Sequence, residues 1–411
     1  MNDQKPPLVS VIIPCYNHGR FVAEAIGSVL GQSHSPVEII VVDDGSTDDS
    51  AQVIATFGDR VRLLRQENLG PSAARNTGFL ASQGEFITFL DADDLYEADF
   101  ITRLLSVFDR DPACLAAYCQ DRFIREDGQP LPVAGHFVIP RPEEMHAALL
   151  LEFHIPPACI LARRICYEKE AGLFEPQLRY HEDWEMALRI ARTGKLAGIP
   201  DVLMHRRIVS GSLSRRTAPA QRHEARLALL QKHIGMDDAE PGRLTPHQRH
   251  AYGHAYLTAA AEYLGQKDRT RAHRYLQRAF ALAPDLIHRV SSYLMLCLPE
   301  QQSGEESPEL PNTPSSLAQF LEGVFDDPDT PTTVRECRNE ALAHLDVILG
   351  LISYQSGDPL AACHFFLGAL TRYPQYTFIR EPVLPPYPSD WDIGLFQQLK
   401  ARHQDLFPEM P

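Results

Sequence analysis

Three carboxylates stand within four positions at Asp91-Ala92-Asp93-Asp94, directly after the apolar run Phe86-Ile87-Thr88-Phe89-Leu90. At the end of a buried strand such a cluster is costly unless something positive sits in it. A hard divalent cation, Mn²⁺ or Mg²⁺, suits it, because these ions take oxygen ligands and keep several positions for waters or substrate phosphates. Taken alone, the same residues also suit a solvated turn followed by a helix cap.

The elements that must position this cluster follow from periodicity. Four short apolar or β-branched stretches, 8–13, 38–42, 61–64 and 86–89, recur at fairly regular intervals. Between them, residues 21–30 carry apolar side chains at i, i+4 and i+8 and stop at Gly31. A second helix opens at Pro71, with Gly84 as its C-terminal stop. Alternating strands and helices imply an α/β fold with an open, mostly parallel sheet, and ligands in such sheets bind beyond the carboxyl ends of the strands. The segments that follow the strands are Pro14-Cys15-Tyr16-Asn17, Asp43-Asp44-Gly45-Ser46, Gln66-Glu67-Asn68-Leu69-Gly70 and Asp91-Ala92-Asp93-Asp94. Neither a Gly-x-Gly-x-x-Gly run nor a Gly-x-x-x-x-Gly-Lys-Ser/Thr loop is among them, which argues against dinucleotide oxidoreductases and P-loop NTPases. A nucleotide site whose diphosphate is held through a metal remains.

These segments closely resemble the successive blocks of family 2 GT-A glycosyltransferases: 9–17, 41–48, 68–76 and 89–94, with a fifth block in Gly172-Leu173-Phe174 and Tyr180-His181-Glu182-Asp183-Trp184. The resemblance covers roughly residues 8 to 216. It implies a nucleotide-diphosphate sugar donor, with uridine as the base, and an acceptor hydroxyl in glycan, glycolipid or glycoprotein synthesis. By the same resemblance Pro14 and Tyr16 line the nucleobase pocket, Asp44 bonds base or ribose, and Arg75 approaches the nucleotide. Asp91 faces ribose and sugar, Asp93 with Asp91 serves the metal, Asp183 is the catalytic base and Glu182 stands beside it. Read without the resemblance, Asp183 equally suits a cap on the helical pattern that runs from Trp184 to Gly194, Asp43 and Asp44 suit a turn, and Tyr16 suits the core. Many family members carry a histidine before a serine-rich segment. Here Ile208 or Val209 holds that place, with His205 upstream as a substitute, and Arg206, Arg207, Arg215 and Arg216 are candidates for diphosphate contact.

The chemistry suits these residue types. Inverting transfer needs one carboxylate to take the acceptor proton, an effect of about 10²–10⁴-fold. A cation bound at Asp93 would neutralise charge on the departing diphosphate, so no general acid is needed there. A glycosidase would instead use two carboxylates flanking the bond. Two alternatives stand beside this hexosyltransferase-type reading. A sugar-1-phosphate nucleotidyltransferase of the same fold would open with a glycine-rich signature in place of Pro14-Cys15-Tyr16-Asn17, and a non-catalytic scaffold would not need Asp91, Asp93 and Asp183 together.

Beyond about residue 230 the β-rich punctuation gives way to alanine- and leucine-containing helical segments. Ala272, Ala279 and Pro284 are echoed by Ala362, Ala369 and Pro374, each unit preceded by a helix closed at Gly265 or Gly357, an arrangement that looks like tetratricopeptide repeats. Residues 299–333, rich in proline, serine and acid, read as a linker apart from a short segment at 317–325. The expected organisation is therefore a tail at 1–7, a GT-A domain at 8–230 and an all-α helical-hairpin domain at 231–411, which could present an acceptor or bind a protein partner.

Composition bounds the rest. The 411 residues suffice for two cored domains. A net charge of −15 disfavours nucleic acid and anionic membrane surfaces as partners. The eight cysteines contain no Cys-x-x-Cys pair, which suits a reducing compartment. The sequence shows no spanning apolar run and no signal-peptide core at its start, so the expected location is the cytoplasm, compatible with peripheral attachment to the inner face of the membrane.

Overall fold

The computed structural model describes residues 5–134, 139–151, 155–178, 180–209, 218–297, 313–356 and 358–373. The chain divides into two compact units, 1–212 and 213–411.

In the first unit the elements run β1 (Val9–Cys15), α1 (Val22–Leu30), β2 (Val37–Asp43), α2 (Ser50–Ala55), β3 (Arg62–Arg65), α3 (Pro71–Ala81), β4 (Phe86–Phe89), β5 (Leu95–Tyr96) and α4 (Phe100–Arg110). They continue with β6 (Cys114–Ile124), β7 (Pro130–Ala134), α5 (Met145–Leu151), β8 (Ile160–Arg163), α6 (Glu182–Thr193) and β9 (Lys195–Arg207). One sheet takes the order β3-β2-β1-β4-β8-β6-β9-β5, with β7 on β6. The four expected strands form its parallel part: β1 lies between β2 and β4, and β3 pairs with β2. β8 then runs antiparallel between β4 and β6.

Burial explains why β1 is central. Val9, Val11, Ile12 and Ile13 are fully buried, and each such side chain contributes roughly 1.5–3 kcal/mol when removed from water. The helix α3 lies so close on this strand that a Cβ on Gly78 would meet Ile12 Cγ2 at 2.3 Å. Gly84 is not the stop of α3, which ends at Ala81 with Ser82 in extended conformation. It serves a different contact: its N–H donates to Ser10 Oγ at 2.8 Å, and a Cβ there would come within 2.5 Å of Ser10 N.

The second unit is helical. Its helices are α7 (Pro219–Ile234), α8 (Pro246–Gly265), α9 (Arg269–Leu282), α10 (Val290–Cys297), α11 (Pro314–Asp326), α12 (Thr332–Arg335), α13 (Arg338–Gln355) and α14 (Pro359–Arg372). The division comes before position 230 because α7 packs on α8. Two hairpins, α8/α9 and α13/α14, turn alike. Asp268 and Asp358 cap the second helix of each through the amides of Arg271 and Ala361, and their own N–H groups donate to the carbonyls of Tyr263 and Ser353. The aspartates, rather than Gly265 and Gly357, are the equivalent positions. Ala272, Ala279, Ala362 and Ala369 are fully buried, as small residues at a close helix–helix seam must be. Of the expected linker, residues 299–312 lie outside the described residues. The segment at 317–325, set apart from it, lies in α11, which buries Leu317, Phe320, Leu321, Val324 and Phe325 in the core, and α12, at the end of the expected linker, buries Val334. Among the described residues no helix is long and apolar enough to cross a membrane.

Candidate functional site at the carboxyl edge of the sheet

The loop after β1 is latched to the loop after β2. Asn17, in the left-handed region at φ 56°, donates its N–H to Ser46 Oγ at 3.0 Å and accepts from Thr47 N at 2.8 Å. The N–H groups of His18 and Gly19 donate to Ser50 Oγ and Asp48 Oδ2, each at 3.0 Å. This leaves Tyr16 44% exposed at the rim and out of the core, next to the half-buried Pro14.

Both aspartates after β2 do structural work. Asp43 is fully buried, accepting from Ser46 N and from Arg65 Nε. Asp44 is also buried. Its Oδ1 accepts from Gln66 Nε2 at 2.7 Å and Leu69 N at 3.0 Å, and its Oδ2 accepts from Gly70 N at 2.8 Å. Three bonds to one loop make Asp44 the holder of the segment that launches α3. Gly70, at φ 91°, is where that segment needs a conformation that a side chain would oppose.

Arg75 projects from α3 into the centre of the site. Its guanidinium is buried, donating Nη2–H to Asp91 Oδ1 at 2.9 Å and Nη1–H to Glu182 Oε1 at 3.2 Å, and it lies 5.3 Å from the centroid of the Phe174 ring. Burial works against the charge, yet Asp91 and Glu182 outweigh it and hold the pKa above arginine's ordinary value. Its Nε–H is buried and has no hydrogen-bond partner among the described residues. The neighbouring Asn76 fastens the same block from the side: its Nδ2 donates to Phe174 O at 2.8 Å, and Phe174 N donates back to Asn76 Oδ1 at 3.0 Å. The end of β4, the block at 172–174 and the start of α6 are thus drawn together by two consecutive residues of α3.

Glu182 and Asp183 occupy the first turn of α6, where the helix dipole favours carboxylates. Asp183 is not the cap: His181 holds that position at φ 60°, an uncommon conformation that costs energy for a non-glycine residue. Asp183 Oδ1 accepts from Trp184 N at 2.7 Å. Burial and the adjacent Asp183 push Glu182 up, against the pull of Arg75.

The acid cluster after β4 splits into distinct environments. Asp91 is turned to Arg75. Asp94 is buried and accepts from Arg207 N at 2.8 Å, and burial together with Asp93 and Asp91 drives its pKa well up. Burial raises Asp93 as well; His18 opposes that rise, Asp91 adds to it, and Arg207 again opposes it. Carboxylates held this close, with ionisation resisted by burial and by one another, have the chemistry of a cation site, so Asp93 fits a divalent metal. Among the described residues no three His, Cys, Asp or Glu side chains converge as a metal-binding group. A cation at Asp93 would therefore complete its shell with waters and phosphate oxygens, as Mg²⁺ commonly does.

The structure does not bring His205 to this cluster. On β9, paired with Leu95 of β5, its Nε2 lies 2.6 Å from Glu97 Oε1. Arg206 is spent on the buried Asp121 and the ring of Phe123. Ser210–Ser214, Arg215 and Arg216 lie outside the described residues. Sequence reasoning missed two participants, Asn76 and His18, and read Arg207 as a candidate for diphosphate contact, whereas its Nε–H donates to the backbone carbonyl of Asp93. His18 sits in the first after-strand segment, directly beside Asn17, so its position at the rim was the available signal. The tie from Arg207 to the acid loop had no local signal, because it arises through the pairing of β9 with β6 and β5.

Residues 10–170 match the family model described as glycosyl transferase family 2. An uncharacterized glycosyltransferase of Rickettsia typhi is 30% identical over 210 residues, which cover 49% of this chain and 64% of that relative. The glycosyltransferase GlyG of Streptococcus pneumoniae is 43% identical over 101 residues, 24% of this chain and 34% of that relative. The chain thus spans less than two thirds of the length of the curated relatives it matches. Among solved structures, a mannosyltransferase of Pyrobaculum calidifontis in complex with GDP-Man and Mn²⁺ aligns over 91% of both chains at 18% identity and a TM-score of 0.47, too distant to bear on this chain's ligands. Residues 10–170, within the N-terminal unit, thus form a glycosyl transferase family 2 domain.

Proposed function

We propose that this domain transfers a hexosyl group, with inversion, from a uridine-diphosphate sugar to an acceptor hydroxyl. The observation that carries the reading is Arg75, whose single guanidinium joins Asp91, on the donor side, to Glu182, beside the proposed base Asp183. Donor and acceptor carboxylates are thereby held in one register before any substrate enters. Tyr16, exposed beside Pro14, offers a face on which a base can stack. Asp183 takes the acceptor proton as the hydroxyl attacks the anomeric carbon from the side opposite the diphosphate. Glu182, tied to Arg75, keeps the start of α6 in place. Asp93 would hold Mn²⁺ or Mg²⁺, which when bound supplies charge neutralisation to the diphosphate leaving group. The acceptor is a glycan, a lipid-linked sugar or a protein, and the helical unit serves to present it or to dock a protein partner. Attachment of the enzyme to the inner face of a membrane is part of the same reading.

Thermal unfolding in the presence of nucleoside diphosphates and nucleotide-sugars, with and without Mn²⁺, tests the donor site. A uridine-specific, Mn²⁺-dependent rise in melting temperature is the expected result. No rise with any nucleotide would overturn the reading and favour a non-catalytic role for the chain.

A further inference from the structure

Arg207 is the most heavily engaged side chain near the acid cluster, and nothing in the proposed chemistry uses it. It ends β9 with a guanidinium that is 0% exposed. Its Nε–H donates to the backbone carbonyl of Asp93 at 2.9 Å, its Nη1–H to the carbonyl of Glu126 at 2.6 Å, and its Nη2–H to Glu24 Oε2 at 2.7 Å. The Phe21 ring lies 5.0 Å from the guanidinium carbon, and the backbone N–H of Arg207 donates to Asp94 Oδ1. One residue thus ties three separate pieces together: the acid loop after β4, the start of α1 with Phe21 at its cap and Glu24 in its first turn, and the turn between β6 and β7. Glu126 is itself anchored from the other side by Arg20, whose guanidinium also lies on Phe21.

The contact with Asp93 is to its main chain. A backbone oxygen held from one side orients the residue without using its carboxylate, which stays available to a cation. Asp94, the next residue, has its carboxylate occupied by the Arg207 amide, which keeps it away from the same task. Arg207 therefore sorts the two adjacent aspartates, assigning one to the framework and leaving the other to the ligand. We propose that Arg207 is a positioning residue for the cation site, fixing Asp93 so that its carboxylate faces the donor diphosphate. This rests on the donor-site reading given above. A five-donor planar fork is needed for the task, because the acceptors lie in three directions around one buried plane. Loss of such an outer-shell support typically costs 10–100-fold in metal affinity.

The test is a calorimetric titration of UDP into the full chain at a series of MnCl₂ concentrations, for the parent, R207Q and R164Q. Arg164 is a matched control: it donates to Gly84 O and Ser82 Oγ and lies over Phe79, holding α3 and β8 together rather than the acid loop. R207Q is expected to raise the Mn²⁺ concentration at half-maximal UDP binding at least tenfold while leaving the Mn²⁺-free affinity for UDP unchanged. R164Q is expected to leave both unchanged. An unaltered Mn²⁺ midpoint in folded R207Q, or an equal shift in R164Q, overturns the proposal. If R207Q does not fold, the double variant E24Q/R207M decides by the same midpoint, since it removes both halves of the ion pair and avoids stranding a carboxylate. Absence of Mn²⁺-dependent UDP binding in the parent would instead overturn the donor-site reading, so the two failures are distinguishable.

Discussion

Asp183 and Glu182 are adjacent in sequence but differ in what holds them, and that difference predicts how each variant fails. Asp183→Asn keeps the shape of the first turn of α6 and removes the proton acceptor. Transfer should fall by a hundredfold or more while UDP binding persists, as steady-state rates and calorimetry on the same preparation would show. Unchanged turnover would refute the base assignment. Arg75→Met acts differently, through folding. It strands Glu182 and Asp91 around an apolar side chain, and breaking such a buried pair costs about 3–5 kcal/mol, toward the lower end here because Asp91 is half exposed. A fall in the urea midpoint of the first unit checks it. Asp93→Ala should abolish the Mn²⁺ dependence of nucleotide binding without a comparable loss of stability, because its carboxylate resists ionisation in the fold.

At the scale of elements, α3 is the part on which the site depends. Its close seat on β1 requires Gly78, since a side chain there would meet Ile12 before anything could relax. Gly78→Ala should therefore cost about 1–3 kcal/mol by overpacking, despite alanine's better helix propensity. By moving α3 outward it should also weaken the Arg75 bridge and lower turnover. A melting temperature equal to or above that of the parent would show that α3 lifts from β1 without cost. The same helix explains why the block at 172–174 lies beside the acid loop at all: Asn76 pairs reciprocally with the backbone of Phe174, and no local property of either segment encodes that meeting.

Over the whole molecule, the two units should respond differently to pH. In the helical unit burial pushes His223 and His344 down to about 4, and burial drives His254 well below the ordinary value. For His223 the nearby Arg226 adds to burial while Asp238 opposes it, and for His344 Glu340 opposes it. These rings are neutral when folded, so the unfolded chain binds more protons below its ordinary pKa of about 6.5, and stability must fall as pH drops from there toward 4. Each ring contributes up to about 1.4 kcal/mol per pH unit in that window. Raised carboxylates of the first unit act in the opposite sense: Asp93 and Glu182 gain protons more readily folded than unfolded and oppose acid unfolding. Thermal melts between pH 7.5 and 4.5 should show the helical unit destabilised first. A His223→Phe variant should flatten its pH dependence, and an unchanged slope would contradict the argument.

Much of the first unit was legible in the residues themselves. The strands that lead to Tyr16, Asp44 and Asp91 are short runs whose burial on both faces leaves continuous apolar sequence, and the acids at their ends stand out because they follow directly on those apolar runs. That the site has two sides, donor and acceptor, was readable only from the family blocks. Gly84 shows the limit of local signals, since a glycine near a helix end was read as a stop and is in truth a close approach to Ser10. The segment at 332–335 shows another: it closes a stretch whose composition suggests a linker, yet it forms the short helix α12 and buries Val334 once other helices offer a core. The equivalence of Asp268 and Asp358, obscured by unequal glycine positions, emerged from capping geometry. What the sequence determined by itself is the fold class, the ends of the parallel strands and the acids that lie there, because those depend on periodicity and on neighbours close along the chain. What only the tertiary structure decided is which partner each charge takes: Arg75 between Asp91 and Glu182, Asp44 on the loop at 66–70, His205 on Glu97, and Arg207 behind Asp93. These pairings join residues brought together by sheet order and helix packing, and a buried charge is satisfied by whatever lies within a few ångströms of it in space.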